Sequence, residues 1–246
     1  MKIEILGVNI DQINFASTLS QIDSWARGAD QKFVVTVNPE FLVAAQANPK
    51  FKEILNSADL ATCDGTGLVL AARFLHGKKL TRVTGSDLSR DLLKNPNLKL
   101  FLLGGAEETI TILNKKFVHA NIVGSSAGGR LNSEYQLENN GAVLNQIRSS
   151  GANVLLVAFG QVKQETWIHN NLATIPNIKV AIGVGGTFDF LAGQAKRAPK
   201  WMRAIGLEWL YRLLKQPNRI RRIWRATGVF CLLVLREKNF IRNLKF

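Results

Sequence analysis

Five short apolar runs constrain this chain more than any other feature: KFVVTVN, DLATC, KLFLLGG, NVLLVAFG and IKVAIGVGG. Each is rich in Val, Ile, Leu, Ala or Phe, and each gives way to Gly, Asn-Pro or Asp-Gly. Runs of this length and make-up, bounded by turn residues, read as strands covered on both faces. The stretches between them carry helical spacing. Residues 16–27 place Leu19, Ile22, Trp25 and Ala26 on one face, and residues 65–75 and 106–117 each follow a strand directly. KIEILG and NIVGSS add two further short strands. Strand, loop and helix in repetition imply an α/β domain whose sheet is mainly parallel. In such sheets ligands bind beyond the carboxyl ends of the strands. That rule nominates residues 36–38, 64–66, 104–107, 160–165 and 183–189 as rim positions.

The pattern changes near residue 196, and so does the charge. Residues 196–246 hold 14 Lys or Arg against two acids, whereas residues 1–195 are close to neutral, so most of the net charge of +14 lies in the last fifth of the chain. Leu207, Leu210, Tyr211 and Leu214 share one helical face. Beyond Pro217, a second helix is expected with Ile220, Ile223, Trp224, Thr227, Phe230, Cys231 and Val234 as its apolar stripe. The expected architecture is an α/β core over 1–195, a Rossmann-like parallel sheet flanked by helices, with a basic amphipathic helical appendage over 196–246. A concentrated positive charge calls for an anionic partner. Trp201, Trp209 and Trp224 among the cations suit a membrane interface, where indole rings sit at headgroup level. No apolar stretch reaches the roughly eighteen residues needed to span a bilayer; VFCLLVL is the longest candidate. The N-terminus has no signal-peptide pattern. Two cysteines, Cys63 and Cys231, allow at most one disulfide and favour a reducing compartment. Nucleic acid is compatible with the charge, but no nucleic-acid-binding motif accompanies it.

Several constellations carry chemistry. In LATCDGTGLVL, Asp64 stands between an apolar strand and two glycines. It fits two readings: a cap for the following helix, or a partly shielded carboxylate acting as a general base. In TVNPE, strand, cap and helix start explain Asn38 and Pro39 but not Thr36 and Glu40. The glycine pairs Gly104-Gly105 and Gly185-Gly186 each stand between a strand and a helix, which favours phosphate at the helix N-terminus. Neither has the dinucleotide spacing, so a nucleotide-like ligand is expected and NAD is not. His76, His119 and His169 are scattered, and no Asp-x-Asp occurs. These absences argue against a metal held between paired acids.

Taken in order, TVNPE, CDGTGLVLAARFL, RVTGSDL, LLGGAEET, GQVKQETWI, GVGGTFDFLAGQAKRAP and LEWLYRLLKQPNRIRR resemble the motifs of the WecG/TagA/CpsF glycosyltransferases, over roughly residues 34–222. The resemblance implies an inverting, metal-independent, cofactor-free hexosyltransferase. The donor would be a UDP-sugar, N-acetylmannosamine-like or a related hexose or uronic acid. The acceptor would be a sugar on a lipid diphosphate of the undecaprenyl-diphosphate-GlcNAc type, in cell-surface polysaccharide or teichoic acid synthesis. It further implies a peripheral position on the cytoplasmic face of the membrane, held through the appendage, with a homo-oligomer possible and nucleic acid not a partner. By resemblance, Asp64 is the catalytic base and Thr36 lies near the reacting centre. Asn38, Arg82, Gly104, Gly105, Lys163, Gln164, Gly185 and Gly186 line the substrates, and Arg212, Arg219 and Arg222 complete the site from the appendage. Gln161 and Val162 depart from the family's small residue and proline in the GxPKQE-like segment. A non-catalytic nucleotide-sugar or RNA-binding protein, or a nucleotide-sugar hydrolase, remains an alternative on the residues alone.

Overall fold

The computed structural model describes residues 1–199, 201–202, 206–215 and 220–243, apart from the side chains of Arg212 and Arg242. Six strands form a parallel sheet: β3 (Lys32–Val37), β4 (Leu60–Cys63), β5 (Leu100–Gly104), β6 (Ile122–Ser126), β7 (Val154–Ala158) and β8 (Val180–Gly183). Their order is β4-β3-β8-β7-β5-β6. Side chains alternate between two cores, as a period of two requires. Phe33, Val35 and Val37 of β3, with Leu155 and Val157 of β7, face one layer of helices. Val34 of β3, with Val154 and Leu156 of β7, face the other. Burial on both faces is why β3, β4, β5, β7 and β8 read as continuous apolar runs rather than alternating ones, while β6 at the sheet edge is only partly buried.

The first layer contains α2 (Pro39–Ala47), α3 (Pro49–Asn56), α4 (Thr66–His76), α7 (Asn140–Ser149) and α8 (Lys163–Asn171). The second contains α1 (Phe15–Ala26), α5 (Gly85–Leu92), α6 (Glu107–Lys116) and α9 (Thr187–Ala192). The parallel sheet flanked by helices is the expected fold. Asn38 caps α2, accepting from the Phe41 N–H at 3.1 Å, with Pro39 at the first helical position.

One element differs from the expectation. KIEILG is the first arm of a hairpin, β1 (Lys2–Ile5) with β2 (Val8–Asp11), separate from the main sheet. Its turn holds Leu6 and Gly7 at φ +53° and +74°. β2 packs beside β4, where Asp11 Oδ2 accepts from the Ala61 N–H at 2.9 Å. The hairpin thus covers the outer flank of the end strand, a flank that would otherwise present unpaired backbone groups.

After α9 come α10 (Glu208–Lys215) and an uninterrupted helical rod, made of α11 (Ile220–Trp224), a π-helical stretch (Arg225–Val229) and α12 (Phe230–Asn243). The rod lies on α2 and α4. Phe230 and Val234 enter the first core, whereas Ile220, Trp224 and Cys231, assigned to the same stripe from sequence, are exposed. The reason is the π-helical stretch: its wider turn slips the 3.6-residue register, so one apolar period cannot run through it. Glu237 fastens the rod to the hairpin, its carboxylate accepting from the Leu6 N–H at 3.0 and 3.2 Å. Among the described residues no helix is long and apolar enough to cross a membrane.

Candidate active site

A cleft of about 900 Å³ opens between the rim of β3 and β4 and the C-terminal helices. Asp64, half-buried, is on its wall directly beyond β4. Its backbone N–H is anchored on the Val37 carbonyl at 2.7 Å, which ties the loop to the neighbouring strand. Asp64 does not cap α4. Gly65, at φ +135°, occupies the cap position and no side chain caps that helix, so the turn before α4 reaches the cleft as backbone. Asp64 Oδ2 instead accepts from the N–H of Gly85, the first residue of α5, at 3.2 Å.

Asn38, Arg82 and Arg222 share the cleft with Asp64. Arg222 arrives from α11 and forks onto Glu40 of α2, with Nε donating to Oε1 at 2.8 Å and Nη2 to Oε2 at 3.0 Å. That pairing holds the guanidinium pKa above its ordinary value, against the opposing effect of burial. Away from this polar end the walls turn apolar. Gly67, Leu70, Ala71 and Phe74 recur at the spacing of one face of α4, and Phe230, Val234 and Leu235 of α12 line the cleft with them. Gly67 has no room for a side chain: a Cβ there would stand 2.9 Å from the Pro39 ring.

The other residues nominated from sequence lie elsewhere. Thr36 is only 5% exposed, and its hydroxyl donates to the Gly183 carbonyl at 3.2 Å. It sits beneath the rim rather than in the cleft. Gln164, 1% exposed, accepts from the Gly185 N–H through Oε1 at 2.8 Å and donates to Glu165 Oε1 at 2.6 Å. Lys163 is exposed at the start of α8. Gly104 ends β5 and Gly105 follows it, both at positive φ, and Gly185 and Gly186 sit beyond β8, all outside the lining of the cleft. The Arg212 side chain and all of Arg219 fall outside the described residues. The structure therefore brings Asn38, Asp64, Arg82 and Arg222 together, and places the remaining described candidates below or further along the rim.

Two buried ionisable groups beside the site are tuned by their surroundings. Burial first, and then the negative charge of Asp64, push the Cys63 thiol up to about 12, so this cysteine is an inert neutral filler. Burial raises the Glu165 carboxyl to about 8, although the Gln164 amide and the Val162 N–H both donate to it. Gly183 makes room for that pair, since a Cβ on it would lie 2.6 Å from Glu165 Oε1.

Sequence reasoning assigned no role to the cluster that frames α5. Thr84 caps the helix, accepting from the Asp87 N–H at 3.2 Å and donating to Asp87 Oδ2 at 2.7 Å. Arg197, in the segment after α9, forks onto Asp87, with Nη1 to Oδ1 at 2.8 Å and Nη2 to Oδ2 at 3.0 Å. The guanidinium and the Thr84 hydroxyl hold the Asp87 carboxyl well below the usual carboxylate range, against its burial. The Thr-x-x-Asp spacing of RVTGSDL was the available signal for the cap. Nothing local signals a partner 110 residues away. Among the described residues no group of three or more His, Cys, Asp or Glu could hold a metal ion.

An acid at the end of a parallel strand, arginines around it and an apolar wall beside it form a site suited to a charged group joined to a hydrophobic one. The chain matches the Glycosyl transferase WecG/TagA/CpsF family over residues 3–244, nearly its whole length. It belongs to that family, and is a glycosyltransferase of cell-surface polysaccharide synthesis.

Proposed function

We propose that this glycosyltransferase moves a hexosyl group, N-acetylmannosamine-like, from a UDP-sugar to a sugar carried on a membrane lipid diphosphate, with inversion at the anomeric carbon and without a metal. One observation carries the reading: Asp64 stands where the polar and apolar parts of a single cleft meet. The acceptor hydroxyl gives its proton to Asp64 as its oxygen attacks the anomeric carbon, and the bond to the UDP oxygen breaks on the opposite face. A base is required because a protonated sugar hydroxyl is a poor nucleophile. Charge developing on the departing diphosphate is met by Arg82, by Arg222 and by the uncapped N-terminus of α4, all on the cleft wall. Arg222 must then exchange Glu40 for the diphosphate. The apolar faces of α4 and α12 take the hydrocarbon next to the acceptor diphosphate, and the basic C-terminal helices hold the enzyme on the cytoplasmic face of the membrane.

The test is a panel of UDP-sugars incubated with a lipid-diphosphate-linked GlcNAc, with products identified by mass. A product heavier by one hexosyl unit, formed only with acceptor present, is expected. UDP release indifferent to acceptor identifies a hydrolase instead. Salt-sensitive RNA binding with no UDP release from any donor overturns the enzymatic reading.

A further inference from the structure

We propose that Arg197 is a positioning residue for the Asp64 carboxylate, acting through Asp87 and the first turn of α5. The inference rests on the base role given to Asp64 above and assigns a function to residues which that role does not use.

The Gly85 peptide joins Asp64 to this cluster. Its N–H donates to Asp64 Oδ2 at 3.2 Å, so the start of α5 helps set where that oxygen sits. The start of α5 is fixed from three sides. Thr84 caps it through Asp87, as above. Thr36 backs it: a Cβ on Gly85 would lie 3.2 Å from the Thr36 hydroxyl, so the backbone is seated against a buried side chain. Arg197 clamps it from outside, gripping both oxygens of Asp87 and reaching the Thr84 hydroxyl at 3.3 Å. Arg90 is a third side chain on the Asp87 carboxylate, at 3.1 Å.

The chemistry of the clamp fits positioning better than a bare contribution to stability. Its two carboxylate-facing nitrogens form the planar fork that only arginine offers, and that fork fixes angle as well as distance. The pair is largely shielded, with Arg197 18% and Asp87 22% exposed, which limits screening by water. Asp87 itself does not line the cleft. Its effect on the site passes through the Gly85 peptide. Arg197 also belongs to the segment that leads into the basic helices, so the same contact couples the placement of that segment to the reacting carboxylate.

The experiment compares kcat, donor KM and thermal midpoint for Arg197→Gln and Asp87→Asn, each made in the wild-type and in the Asp64→Asn background. Misplacing a catalytic group by about 1 Å costs up to roughly a hundredfold. The expected result is a ten- to hundredfold loss of kcat, a donor KM within about twofold of wild type, and no further loss once Asp64 is Asn. If Arg197→Gln fails to fold, Arg197→Lys replaces it: charge is kept, the fork is lost, and kcat is expected to fall with KM unchanged. A wild-type kcat in the folded variant overturns the proposal. So does a rise in donor KM at constant kcat, which would place Arg197 on the substrate, or an undiminished loss in the Asp64→Asn background. Wild-type turnover by Asp64→Asn alone overturns the base role itself. Inactive Asp64→Asn beside fully active Arg197→Gln overturns the positioning role alone.

Discussion

Arg222 and Glu40, 182 residues apart in sequence, meet in the lining of the cleft in a two-pronged ion pair at 2.8 and 3.0 Å. Arg222 is about half-exposed, so the pair contributes little to stability, about 0–1 kcal/mol. Its interest lies in the role proposed for Arg222 at the departing diphosphate. Arg222→Lys keeps the charge and loses the planar fork. Turnover should fall roughly ten- to hundredfold, the value of one or two charge-assisted hydrogen bonds, while the thermal midpoint moves by no more than a few degrees. Steady-state kinetics beside a melting curve checks both.

Asp64→Asn should retain donor binding and lose turnover by about a hundred- to ten-thousandfold, the usual contribution of a general base. Calorimetric titration with UDP separates the two effects. Turnover close to wild type excludes Asp64 as the base.

Glu165 gives a pH dependence with a definite sign. Its carboxyl is raised in the folded chain to about 8 from an ordinary 4.5. The folded state therefore holds a proton that the unfolded chain releases. The stabilisation from this group is complete below about pH 4.5 and is lost as pH rises through about 8. In that window stability should fall by up to about 1.4 kcal/mol per pH unit. Glu165→Gln should flatten the slope, and urea midpoints measured from about pH 5 to about pH 8 for both proteins give the difference.

Gly183→Ala tests the same corner by packing. The added methyl would stand 2.6 Å from Glu165 Oε1 and 2.7 Å from Gln164 Nε2. A loss of about 1–3 kcal/mol is expected, typical of an overpacked core, seen as a lower urea midpoint at unchanged slope.

The membrane role predicts that reversing exposed charges weakens association without unfolding the chain. Arg221 and Arg225 are both exposed on either side of Trp224, itself 63% exposed. Each cation near an anionic surface is worth about 1 kcal/mol. Arg221→Glu with Arg225→Glu should therefore reduce partition onto phosphatidylserine vesicles by at least about tenfold. Sedimentation with vesicles measures it, and unchanged partition removes the electrostatic part of the proposal.

Five of the six parallel strands were legible because burial on both faces leaves an unbroken apolar imprint, as in Val34 to Val37 of β3 and Val154 to Val157 of β7, whereas the edge strand β6, IVGSS, is only partly buried. The hairpin was half-legible. Its turn places Leu6 at positive φ, a conformation that sequence assigns to Gly or Asn, and the carboxylate bonded there comes from Glu237 at the far end of the chain. Asp64 stood out because an acid in an apolar run needs an explanation. Glu40 stood out as unexplained but without its partner, and Asp87 and Arg197 did not stand out at all, because each draws its meaning from a residue more than a hundred positions distant. The exposed positions Ile220 and Trp224 were misplaced by a periodicity that the π-helical stretch breaks.

β4 is the last strand on its side of the sheet, and Asp64 follows it directly. The cleft therefore occupies a shoulder of the molecule instead of its middle. On the function proposed above, a body with its chemistry on that shoulder would rest against a flat surface and reach a molecule embedded there without sinking into it.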